Sequence, residues 1–159
     1  MAQKHNEMAD PISHYSEQLI IKGFWDEAIY LHNLILEADN KVERRFHGFA
    51  YNNIGSIYYN KGDWDRALEY YLKSEKIIIE VGYRAGLGPT YFNIGTGYQQ
   101  KGEHEKGAEY IIVASFIAMA MGMRHELSQM SWAIEPILNE LGQKRFMEIG
   151  KRLYQQRLG

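Results

Sequence analysis

The residues best equipped for chemistry in this 159-residue chain are six histidines, a ladder of arginines and two asparagines in matching places. The histidines are His5, His14, His32, His47, His104 and His125, and no two stand four apart. No His-Glu-x-x-His occurs either, so none has the spacing by which one helix face holds zinc. Each is read as a surface or packing residue. No serine lies in a Gly-x-Ser-x-Gly setting, and Gly86-Leu87-Gly88-Pro89 lacks a lysine and follows a helical pattern instead of a strand. Neither an activated nucleophile nor a phosphate cradle is legible. There are no cysteines, which removes disulfides, thiolate metal sites and thiol catalysis. With no nucleophile, base and orienter in view, the expectation is a protein that is not an enzyme and carries no cofactor or metal.

Recognition chemistry is easier to see. Asn53 and Asn93 stand in Tyr51-Asn52-Asn53-Ile54-Gly55 and Tyr91-Phe92-Asn93-Ile94-Gly95, 40 residues apart. A carboxamide offers both a donor and an acceptor, so it can pair with a peptide unit whatever the ligand's sequence. The alternative is that these amides only tie helices together. Arg44, Arg84 and Arg124 repeat at the same interval. As carboxylate receptors they would need to share the amide face. At about 100° per residue they fall roughly 120° away from it. The preferred reading is a cation at the carbonyl end of the preceding helix. Arg45 does point to the amide face, nearly alone.

The elements that must position these groups follow from self-similarity. Gly23, Gly62, Gly102 and Gly142 are spaced by 39, 40 and 40 residues, each followed by a similar polar segment. Tyr51, Ile54 and Tyr58, then Ala67 and Tyr71, recur at three- and four-residue steps, the helical period. Lys61-Gly62-Asp63 between them supplies a left-handed glycine and an aspartate cap. The spacing predicts helix pairs at 9–22 with 24–39, 43–61 with 64–81, 84–101 with 104–121, and 124–141 with 143–157. These make four units within one domain over 1–159. Pro89 predicts a late or kinked start to its helix and Pro136 a bend within its own. In the last helix Phe146, Ile149 and Leu153 share one face while Lys144, Arg145, Lys151, Arg152 and Gln155 populate the other, as in a cap. Trp25/Trp64 and Asp26/Asp65 recur by repeat position and read as structural.

The residues Tyr51-x-x-Ile54-Gly55-x-x-Tyr58, followed by Ala67-x-x-x-Tyr71, resemble the tetratricopeptide repeat pattern, and Tyr91-x-x-Ile94-Gly95-x-x-Tyr98 repeats its first half. The match loosens outward: Ser16 takes the glycine slot of the first unit, while Gly107 and Ile111 take the alanine and aromatic slots of the third. The 40-residue interval is similar to the longer subtype of that family. The resemblance implies an all-α, right-handed α-solenoid of about four antiparallel helix pairs, with the first helix of each pair lining a concave face. Carried to this chain, that face holds Arg45, Phe49, Asn52, Asn53, Ser56, Tyr59 and Asn60 in the second unit. The third unit offers Phe92, Asn93, Thr96, Gln99 and Gln100, and the fourth Gln129 and Trp132. The implied function is a scaffold or interaction module that binds a peptide segment of another protein in this groove. A sensor for a short signalling peptide is the alternative. Self-association is a further one, through an N-terminal helix carrying Ile12, Tyr15, Leu19 and Ile20, which makes a homo-oligomer possible.

Charge agrees with these expectations. With 18 basic and 20 acidic side chains the net charge is −2, which gives no electrostatic reason to expect nucleic acid or an anionic membrane as partner. The most apolar stretch, Tyr110 to Met121, is well short of the roughly 20 residues that span a bilayer. The start lacks the apolar run of a signal peptide, so a cytoplasmic location is the expectation.

Overall fold

The computed structural model describes residues 2–38 and 41–158, and side chains within them from residue 11 onward except that of residue 13. The fold is all-α. Among the described residues eight helices follow one another: α1 Ala2–Ile21, α2 Trp25–Glu37, α3 Arg44–Asn60, α4 Trp64–Glu80, α5 Arg84–Gln100, α6 His104–Ala120, α7 Arg124–Leu141 and α8 Gln143–Leu158. None is long and apolar enough to cross a membrane. The chain divides into two compact units, Met1–Val81 and Gly82–Gly159.

The stops are local. Gly62 takes φ +77°, its N–H donates to the Tyr59 carbonyl at 3.0 Å, and the Asp63 N–H reaches back to Tyr58 at 3.0 Å. This pair of bonds satisfies the last carbonyls of α3. The same two bonds recur at Gly102 and Glu103, onto Gln99 and Tyr98. Asp63 then accepts the Arg66 N–H at 3.2 Å and caps α4.

Two details differ from the sequence expectation, at α1 and α5. Helix α1 begins at Ala2 and runs through Pro11; Ala2, Gln3, Lys4, Glu7, Met8 and Ala9 are helix formers by intrinsic propensity. Helix α5 starts at Arg84 with Pro89 already inside it. The Thr90 hydroxyl donates to the Gly86 carbonyl at 2.8 Å, adding a side-chain bond in that first stretch. Helix α7 contains Pro136 and runs to Leu141, the expected bounds.

In the first unit α3 and α4 run antiparallel at close range. Gly48 faces Ile77 and Ile78, and Gly55 faces Ala67 and Tyr71. A Cβ on Gly55 would lie 2.6 Å from the Tyr71 ring, so only glycine admits that ring. Ile54, Ile57, Ala67, Tyr71 and Ile78 are buried there, and full burial of such a large apolar side chain is worth about 1.5–3 kcal/mol. Between α1 and α2 the equivalent slot is polar: Ser16 and His32 are both 0% exposed, with Ser16 Oγ 2.8 Å from His32 Nε2. Lys61 Nζ, 2.9 Å from Asp26 Oδ1 and 5.7 Å from the Trp25 ring, fastens the end of α3 to the start of α2. The carboxylate is 88% exposed, so that link adds under about 1 kcal/mol.

In the second unit α6 is the central element, packing on α5, α7 and α8. That explains why its sequence is apolar all round: Tyr110 to Ser115 are buried without a break, then Ile117 and Ala118. A helix contacted on every side needs no polar face. Against it, α8 brings Phe146, Gly150 and Leu153. A Cβ on Gly150 would lie 3.0 Å from that of Phe116.

Candidate protein-binding surface

The first helix of each pair carries the candidate residues, and the second helix fixes which of its faces stays outside. On α3, Ile54, Gly55 and Ile57 turn inward, which leaves Asn52, Asn53 and Tyr59 half-buried and Asn60 exposed. Arg45 is held by its neighbours: its Nε lies 3.0 Å from Glu43 Oε2, and its guanidinium sits 5.2 Å from the Phe46 ring centre. Phe49 meets Phe46 edge-on at 6.0 Å and packs against the cluster of Ile35, Val42, Phe46 and Ala50. Ser56 is committed to the fold, since its hydroxyl donates to the Asn52 carbonyl at 3.1 Å and accepts from the Tyr71 hydroxyl at 3.3 Å. Burial pushes the Tyr71 phenol well above its usual range, which keeps it a neutral donor.

On α5, Phe92, Asn93 and Gln99 are half-buried and Gln100 is exposed. Thr96 is 6% exposed, and its hydroxyl donates to the Asn93 carbonyl at 3.0 Å. On α7, Gln129 and Trp132 are exposed. Trp132 is the most exposed large apolar residue of its unit at 60%, and it stands edge-on to Phe92 with ring centres 5.9 Å apart. The second unit therefore brings α5 and α7 candidates together: an aromatic corner flanked by Asn93 and Gln129. Gln129 lies one turn before Trp132, with Nε2 3.2 Å from His125 Nε2.

Arg84 lines a cavity of about 340 Å³ with Phe116, Ile117, Ala120, Met121 and Tyr154. Its side chain thus borders the carboxyl-terminal end of α6, where a cation is favoured.

The structure sharpens the packing reading of His32 and exposes one residue outside the candidate set. His32 is a core residue whose pKa burial lowers to about 4. The signal was available: a 39-residue offset puts His32 in the slot of Tyr71 and Ser16 in that of Gly55, a polar pair replacing an apolar one. Tyr30 was not among the candidates, and it stands 63% exposed on α2. Among the described residues no group of three histidines, aspartates or glutamates is placed to hold a metal ion.

Residues 46–110 match a family model described as tetratricopeptide repeat. That span begins in the first turn of α3, covers α4 and α5, and ends within α6. Comparison with curated proteins finds no match.

Proposed function

We propose, from the match of residues 46–110 to the tetratricopeptide repeat family, that this chain holds a peptide segment of a partner protein against the first helices of its pairs. Repeats of this family are generally protein–protein interaction modules. The observation that carries the finer reading is the Phe92–Trp132 corner. A tryptophan 60% exposed and fixed edge-on against a second aromatic is the kind of rigid anchor that dominates protein interfaces. Asn93 and Gln129 beside it bring carboxamides suited to a peptide backbone. In the first unit Asn53 occupies the place of Asn93. Thr96 and Ser56 are left out of the contact surface, because their hydroxyls are spent on the protein itself.

The test is capture of partners from the source organism by wild type, Trp132→Ala and the Asn53→Ala/Asn93→Ala double variant. Trp132→Ala should weaken capture by about tenfold or more, as truncating a hot-spot aromatic does, with the melting temperature nearly unchanged. The amide pair should lose less. Equal capture by all three would remove the support for this surface.

A further inference from the structure

The first helix pair leaves several large apolar side chains outside, one of them at a position that the later pairs bury. Tyr15, Ile21, Phe24 and Tyr30 are 60%, 79%, 50% and 63% exposed. The repeat counterparts of Tyr15 are Ile54, Ile94 and Ile134, at 0%, 0% and 5%. Between α1 and α2 lies a cavity of about 490 Å³ lined by Tyr15, Leu19, Asp26, Glu27, Tyr30 and Leu31. Asp26 is engaged by Lys61. Glu27 has no ion pair among the described residues. Helix α2 carries Asp26, Glu27 and Glu37 and neither lysine nor arginine.

Elsewhere several tyrosines lie under the protein's own cations. Lys73 Nζ is 4.8 Å from the Tyr70 ring, Lys106 Nζ 3.9 Å from Tyr98, and the Arg157 guanidinium 4.0 Å from Tyr110. Tyr15 and Tyr30 have no such cover among the described residues. Cations to supply it are at hand on α8. Lys144, Arg145, Lys151 and Arg152 are exposed around an exposed Glu148, a net excess of cations on that face, and have no carboxylate partner within ion-pair distance among the described residues. Arg157, by contrast, is turned to Glu109 at 3.8 Å.

We infer that this chain self-associates by seating the basic face of α8 from one copy on the acidic, tyrosine-lined α1–α2 face of another. Lysine and arginine stems lie along the aromatic walls, and their charged heads reach Glu27 and the ring faces. The two surfaces differ, so the contact is heterologous: each copy offers both, and copies add head to tail. The reading is independent of the proposed peptide-binding reading.

Sedimentation velocity over a range of protein concentrations tests it. In low salt the average mass of wild type should rise with concentration. Raising ionic strength from about 0.05 to 0.5 M should weaken the association roughly tenfold or more, because exposed charge pairs are screened. Two variants, Tyr15→Ser/Glu27→Lys/Tyr30→Ser and Lys151→Glu/Arg152→Glu, change exposed side chains only, and circular dichroism checks that each folds. Each alone should be monomeric. Mixed, they should form a one-to-one pair, because each retains the surface the other lacks. Wild type that stays monomeric throughout overturns the inference. So does either variant associating like wild type, or a mixture that stays monomeric.

Discussion

The α3–α4 and α5–α6 pairs solve the same packing problem with different residues. Each must bring two helices close at one crossing. In α3–α4 the space beside Gly55 is filled by the Tyr71 ring, with Ala67 behind it. In α5–α6 the ring is replaced by Ile111, and Gly107 stands where alanine stood. A Cβ on Gly95 would come 2.8 Å from the Gly107 carbonyl oxygen, and a Cβ on Gly107 would come 2.7 Å from the Gly95 oxygen. Each glycine is needed because of the other. What reads in sequence as a decayed repeat is a compensated one: a smaller filler, and backbones in contact. The α1–α2 pair is a third solution, a buried hydroxyl–imidazole pair in place of glycine and ring.

Three tests would break or sharpen that comparison. The largest effect is expected from Gly95→Ala, because its Cβ meets backbone that no rotamer change can move. It should lose about 3 kcal/mol, the upper end for overpacking, and Gly55→Ala, facing a side chain, about 1–2 kcal/mol. Urea unfolding of both decides; a Gly55 variant that loses more would reverse the account.

Next comes acid. His32 titrates at about 4 in the folded chain against about 6.5 when unfolded. As the pH falls below 6.5 the unfolded chain takes up the proton first, so stability is present above 6.5 and is lost toward 4. The loss attributable to His32 should reach about 2 kcal/mol by pH 5. Ser16→Gly/His32→Tyr, which imports the α3–α4 solution, should flatten that slope; an unchanged slope would assign it to other groups.

The smallest effect belongs to the turns. Asp63→Ala removes the cap on α4 and should lose about 1 kcal/mol. Glu103→Ala, at a position with no side-chain cap bond, should change thermal melting little. Equal losses would show that the Asp63 bond contributes nothing.

The helices were legible because glycine and the 20-residue rhythm of helix starts are written locally. Expected boundaries from residue 24 onward lie within two residues of the observed ones. The expected start at residue 9 falls well inside α1, which begins at Ala2, because the repeat pattern that fixed the other starts does not extend to the residues before it, which favour helix by propensity alone. The candidate surface was legible by angle but not by depth. Counting at 100° per residue places Thr96 outside, but cannot foresee that its hydroxyl turns to the Asn93 carbonyl. Nor can it foresee that Phe92 meets Trp132, which lies on another helix of the same unit.

One feature of the turns bears on how this sequence can drift. Gly62, Gly82, Gly102, Gly122 and Gly142 all have positive φ, and a Cβ on any of them would meet nothing within 4 Å. Volume therefore places no restriction on these five positions; handedness alone does. A survey of tolerated mutations would find intolerant sites in open solvent, spaced like marks on a ruler, where no measure of crowding would point to them.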